Sequence, residues 1–320
     1  MPSEQVYRAE AASDLREDFF KIALCLCAYF PITSTIASLF LSAYSSKTPA
    51  AEPETITSAF MQSGYYSIYL LAIAIIPLSV CILLYCLITK RRLSLLSLRP
   101  TVSGRGLGLF LSLGLGALPI SAAAAALWGK ALSQFDIAAS EVQAPEGVFA
   151  TAIFILSYVV LAPVLEELIF RSLILERLRR YGDVFAVVTS ALLFMLLHAS
   201  LSSFAYAFVS GIIFGFLAVY TGSFLCPLII HIVNNLISVI MILLTDRISP
   251  ESADLIYVGL LVFFAAISVI AAVIIKKKGG FKLTFDGKMI AKSRKASIIF
   301  TSLPMLVFII MAISLALSAV

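Results

Sequence analysis

Apolar residues run along this chain in long unbroken stretches, and polar positions gather between the stretches rather than alternating within them. Nine stretches stand out, at residues 20–44, 67–88, 107–127, 148–173, 184–198, 204–220, 224–244, 255–275 and 297–320. A helix needs about 20 mostly apolar residues to cross a bilayer core. Within lipid every backbone N–H and C=O must be bonded internally, which a helix achieves alone. The pattern predicts an all-α, polytopic membrane protein with about eight or nine transmembrane helices in a bundle. The fifth and sixth stretches are the hardest to separate, because only Ala199 to Ser203 divides them.

Composition agrees and narrows the class. The 320 residues are 61% hydrophobic and 13% charged, against about 25% charged in a soluble domain. The formal net charge of +5 does not point to nucleic acid, because the basic residues sit in short loops between apolar runs; the expected surroundings are the lipid bilayer. Lys90, Arg91, Arg92, Arg99 and Arg105 lie between the second and third stretches, and Arg177, Arg179 and Arg180 follow the fourth. Lys276, Lys277, Lys278, Lys282, Lys288, Lys292, Arg294 and Lys295 lie between the last two. With nine spans these loops share one side, and the positive-inside rule makes that side cytoplasmic. Acids dominate the opposite loops: Glu52, Glu54, Asp136, Glu141, Glu146, Asp246, Glu251 and Asp254. The expected protein is multi-pass, in the plasma membrane, with its N-terminus cytoplasmic and no cleavable signal peptide. Cys25, Cys27, Cys81, Cys86 and Cys226 fall in or beside apolar runs and read as buried thiols rather than a disulfide framework.

No interrupted pair of helices recurs in the two halves, the usual pointer to a secondary transporter. Gly104, Gly106, Gly108, Gly114 and Gly116 follow no predicted strand, so helix packing through small residues is the reading taken over a phosphate loop. Gly211 and Gly215, spaced four apart, read the same way.

Charges inside a span are costly and ask for a partner or a role. The fourth stretch holds Glu166, Glu167 and Arg171. Glu167 and Arg171, four apart on a helix, share a face and predict an ion pair. Glu166 lies about 100° round from Glu167 and is left to face a cavity. One buried salt-bridge cluster of all three is the structural alternative. The chain has only two histidines, His198 and His231, and both fall in apolar runs. Phe194 precedes His198 by four, and Asn235 follows His231 by four, on the same helix face; Asn234 and Asn235 also read as interhelical hydrogen-bonding groups.

Glu-Glu-x-x-x-Arg, Phe-x-x-x-His and His-x-x-x-Asn, in this order on successive helices, resemble the three motifs of the CPBP family of intramembrane proteases. That family includes type II CAAX prenyl endopeptidases and bacterial members linked to bacteriocin processing or self-immunity (the ABI group). The resemblance covers roughly residues 148–244, giving a core at 146–245 with four spans, about three N-terminal spans in 1–145, and further helices in 246–320. It implies that Glu166 is a general base that, with His198, activates water for attack on a peptide carbonyl. It implies that His231 and Asn235 donate to the oxyanion, worth about 3 kcal/mol per donor, and that Glu167 and Arg171 hold the cluster in shape. The implied partner is a membrane-bound protein or peptide substrate, prenylated in the type II CAAX case.

Metal involvement stays open on the residues alone. Glu166, His198 and His231, with water as fourth ligand, form a zinc set of the catalytic kind; the family is often called a metalloprotease family. The His-Glu-x-x-His helix is absent, and the resemblance favours glutamate-dependent hydrolysis, so no cofactor is assigned and zinc is the alternative. One depth misfit accompanies the nine-span count: His198 falls at the far end of its span, away from Glu166 and His231. It eases if the fourth helix continues through Arg171 to Arg180 and the fifth begins below the membrane surface. The rival functions are a transporter or channel lined by the same polar groups, and a non-catalytic immunity or scaffolding protein.

Overall fold

The computed structural model describes residues 4–47, 53–90, 100–137, 144–245, 247–280 and 290–318. Of the charged loop residues above, Glu52, Arg91, Arg92, Arg99, Glu141, Asp246, Lys282 and Lys288 lie outside them. Among the described residues the chain is helical with no strand: α1 (Glu4–Leu26), α2 (Tyr29–Ser45), α3 (Pro53–Gln62), α4 (Gly64–Thr89), α5 (Gly104–Leu115) and α6 (Leu118–Leu132). A long helix, α7 (Val148–Tyr181), follows. Then come α8 (Asp183–Leu197), α9 (Phe204–Thr221), α10 (Leu225–Thr245), α11 (Pro250–Lys277), α12 (Lys292–Thr301) and α13 (Leu303–Ser318).

Seven helical stretches among the described residues are long and apolar enough to cross a membrane, or eight with α12 and α13 counted as one span bent by 73°. The protein is a multi-pass helical membrane protein. That count is close to the expected eight or nine, and the fifth stretch is the one that falls short of a full span. α8 has 15 residues, about 22 Å at 1.5 Å per residue, short of a bilayer core of about 30 Å. Hydropathy registers that it is apolar, but not that it is short. The bend between α12 and α13 falls where Ser302 turns extended (φ −76°, ψ 116°) and Pro304 then supplies no N–H.

Helix α7 is continuous to Tyr181, the condition under which the depth misfit eases. Gly182 then turns the chain at φ 118°, a conformation closed to most side chains, and α8 starts at once. Two π-helical turns interrupt α7, at Leu156–Leu161 and Leu168–Leu175. The first ends two residues before Pro163, which has no N–H to give to the preceding turn.

Helix α9 packs along α8, α10 along α9, and α4 against α2 and α7; α5 packs on α10 and α11. The small-residue reading holds at specific glycines. A Cβ on Gly211 would stand 3.0 Å from the Ala191 backbone, and one on Gly116 would stand 2.3 Å from the Phe264 carbonyl. Gly104 and Gly108 meet nothing within 4 Å, so for them packing is not the explanation. All five cysteines are free; Cys25, Cys81 and Cys226 are buried.

The polar start of α1 is part of the fold. Asp18, 4% exposed, accepts from Arg177 Nε at 2.7 Å and Tyr181 Oη at 2.8 Å, and it pairs with Arg180. These bonds fasten α1 to the end of α7. Nearby, Arg179 Nε pairs with Asp183 at 2.9 Å across the turn into α8.

Candidate active site

Glu167 and Arg171 are both fully buried, with Arg171 Nε donating to Glu167 Oε2 at 3.0 Å. Arg171 Nη1 donates to Ser190 Oγ at 3.1 Å, and that hydroxyl donates to the Phe170 carbonyl at 3.0 Å. The guanidinium carbon lies 5.5 Å and 5.9 Å from the ring centroids of Phe194 and Phe214, inside cation–π range. The buried charge therefore has an opposite charge, a hydroxyl and two aromatic faces around it.

The second carboxylate oxygen of Glu167 does further work. Oε1 lies 3.1 Å from His231 Nδ1. A carboxylate only accepts, so Nδ1 carries the proton and points the ring. On the other side of the imidazole, Nε2 lies 3.6 Å from Glu166 Oε2. His231 thus stands between the two adjacent glutamates, with Phe214 against its ring at 5.0 Å. The roughly 100° step between neighbouring helix positions lets Glu167 point into the packed interior while Glu166 points elsewhere. Glu166 keeps 17% of its side chain exposed and lines a cavity of about 350 Å³.

His198 caps the C-terminal end of α8. Its Nδ1 donates to the Phe194 carbonyl at 2.8 Å, which leaves Nε2 as the acceptor in the neutral ring. The Phe194 ring meets His198 edge-on at 4.7 Å and His231 edge-on at 6.0 Å, so one ring touches both imidazoles. The next residue, Ala199, takes φ 44°, uncommon for a residue with a side chain, and stops the helix there. Glu166, His198, His231 and Asn235 all line the same cavity. Among the described residues Glu166 makes an ion-pair contact with His231 and none with His198.

Asn235 is oriented by the π-turn. Ala162 N–H bonds to the Ser157 carbonyl, and the next donor in that register would come from residue 163, a proline. The Tyr158 carbonyl, deprived of that donor, accepts from Asn235 Nδ2 at 2.9 Å. Asn234 Nδ2 donates to Asn235 Oδ1 at 3.1 Å, and Tyr206 Oη donates to Asn234 Oδ1. A chain of three side chains therefore fixes the Asn235 amide. Tyr206 was not legible in the sequence, where it opens an apolar run with no spacing signal. Nor was Tyr29 of α2, which lines the cavity from outside the motif helices. Asn234 was legible only as an interhelical polar group.

The zinc alternative does not fit this arrangement. Among the described residues no three His, Cys, Asp or Glu side chains are grouped to hold a metal ion.

No curated protein and no solved structure matches the chain. The model of one family does match, over residues 148–237, which hold Glu166, Glu167, Arg171, His198, His231 and Asn235. Its description is Type II CAAX prenyl endopeptidase Rce1-like. Over that segment the chain is similar to the CAAX-type membrane protease family, the family its three motifs resemble.

Proposed function

We propose that the protein is an intramembrane endopeptidase that hydrolyses a peptide bond of a membrane-associated, in one form prenylated, protein or peptide, with Glu166 activating the attacking water. The observation that supports it is the lining of one cavity by Glu166, His198, His231 and Asn235, drawn from three separate helices. Glu166 takes a proton as the water oxygen bonds to the substrate carbonyl carbon, and the C=O electron pair moves onto oxygen. His198, with Nδ1 committed to Phe194, accepts the second water hydrogen at Nε2 and orients the attack. Asn235 and His231 donate to the oxyanion, where each donor aimed at developing charge contributes about 3 kcal/mol. For His231 this needs Nε2 protonated as well as Nδ1, the imidazolium form. Collapse of the tetrahedral adduct breaks the C–N bond, and the proton on Glu166 passes to the leaving amine. Glu167 and Arg171 position His231 without touching substrate.

We infer that residues 146–245 form the catalytic core and that 1–145 and 246–320 are flanking helices. The basic end of α7 lies on the cytoplasmic side in this reading, with the N-terminus on that side and the plasma membrane as the location. Purified protein in proteoliposomes, given membrane-anchored peptides with and without a prenyl group and read by mass spectrometry, tests the proposal. Hydrolysis of one peptide bond in either form supports it. Folded protein that cleaves none of them contradicts it.

A further inference from the structure

A second cavity, of about 590 Å³, lies between α8 and the bent α12–α13 pair. Leu192 and Leu196 line it, each two residues from Phe194 and so about 160° round the helix from the catalytic cavity. The remaining wall is apolar, with Val188 from α8 facing Ile299, Met305 and Ile309. Its rim is open, since Val188 and Phe300 are exposed.

One end differs from the rest. Lys292 and Lys295 line it, beside Tyr181. Lys295 is 4% exposed, donates from Nζ to the Tyr181 carbonyl, and lies 5.0 Å from the Phe185 ring centroid. The neighbouring cations are matched: Arg177 and Arg180 by Asp18, and Arg179 by Asp183. Lys295 has no carboxylate at ion-pair distance among the described residues. A buried cation without a counter-charge is costly, and Lys292 beside it adds a second positive charge. An occupant that satisfies both ends carries a long apolar chain with an anion at one tip. The anion end lies at the basic terminus of α7, where anionic headgroups are attracted.

We propose that this cavity binds one anionic glycerophospholipid of the bilayer, an acyl chain between α8 and α13 and its phosphate at Lys292 and Lys295. The site is distinct from the catalytic cavity and does not depend on the protease reading. Native mass spectrometry of the full-length protein, released from micelles with phosphatidylglycerol or phosphatidylcholine of identical chains, tests it. Wild type should retain one phosphatidylglycerol with at least tenfold preference. Lys292→Gln/Lys295→Gln should bring the preference within twofold, and Lys292→Gln alone should lower it at least threefold, which covers failure of the double variant to fold. Ala296→Trp, which fills the cavity but keeps both lysines, should lose the retained lipid. Equal retention of the two lipids by wild type, an unchanged preference in the lysine variants, or undiminished retention by Ala296→Trp would each overturn the proposal.

Discussion

Glu166 and Glu167 differ by one position and have opposite fates. Glu167 is sealed between Arg171 and His231, while Glu166 reaches the cavity. Removing the guanidinium leaves a fully buried carboxylate without its charge partner, at a cost of about 3–5 kcal/mol. Arg171→Ala should therefore lower the thermal midpoint sharply or prevent isolation of folded protein, whereas Glu166→Gln should unfold with wild type. Equal midpoints for Arg171→Ala and wild type in the same lipid would refute the structural role of the pair. The pair was legible because four-residue spacing on a helix brings two side chains together whatever surrounds them. The Glu167–His231 bond was not, since it joins residues 64 apart and exists only after α7 and α10 pack. That bond also gives Glu167 a second duty, fixing the His231 ring, which spacing alone did not show.

The site is set at the level of elements by irregularities that hydropathy does not record. A 3.6-residue period describes neither the π-turn before Pro163 nor the early stop of α8 at His198. Pro163 itself was visible, but its consequence, a Tyr158 carbonyl offered to Asn235, appears only with the turn in place. Pro163→Ala restores a backbone donor that competes for this carbonyl and releases the Asn235 amide. Activity should fall about tenfold, less than the 10²–10³ that follows removal of an oxyanion donor, while thermal stability is kept or raised. Retained activity in a folded Pro163→Ala protein would show that the π-turn does not position Asn235. The shortness of α8 has its own consequence. It ends inside the bundle, so His198 joins the cavity instead of lying at the far surface, where a full span would have carried it.

Across the whole molecule, the helices that supply the motif residues are enclosed by others that supply packing. Tyr29 of α2 and Leu70 of α4 wall the cavity, and α1 is tied to the end of α7 through Asp18. The helical class and most spans were legible because long apolar runs have one solution in lipid. The docking of α1 was not, because Asp18 and its arginine partners on α7 lie about 160 positions apart and meet only after the helices pack. Asp18→Asn keeps the shape but weakens charge-assisted bonds to Arg177 and Arg180. Because both arginines are partly exposed, the loss should sit near the low end of about 1–3 kcal/mol. It should show as a lower thermal midpoint and faster limited proteolysis within α1; an unchanged digest and midpoint would mean that the cluster does not hold the helix.

The measurement closest to the central claim is peptide-bond hydrolysis by wild type and Glu166→Gln, side by side in proteoliposomes, at matched folded concentration. Loss of a general base costs about 10²–10⁴ in rate. With Glu166 as the base, the Gln variant should fall by at least 10² in kcat and still bind the substrate that wild type cleaves. A Glu166→Gln protein that hydrolyses the same bond at the wild-type rate would contradict the account.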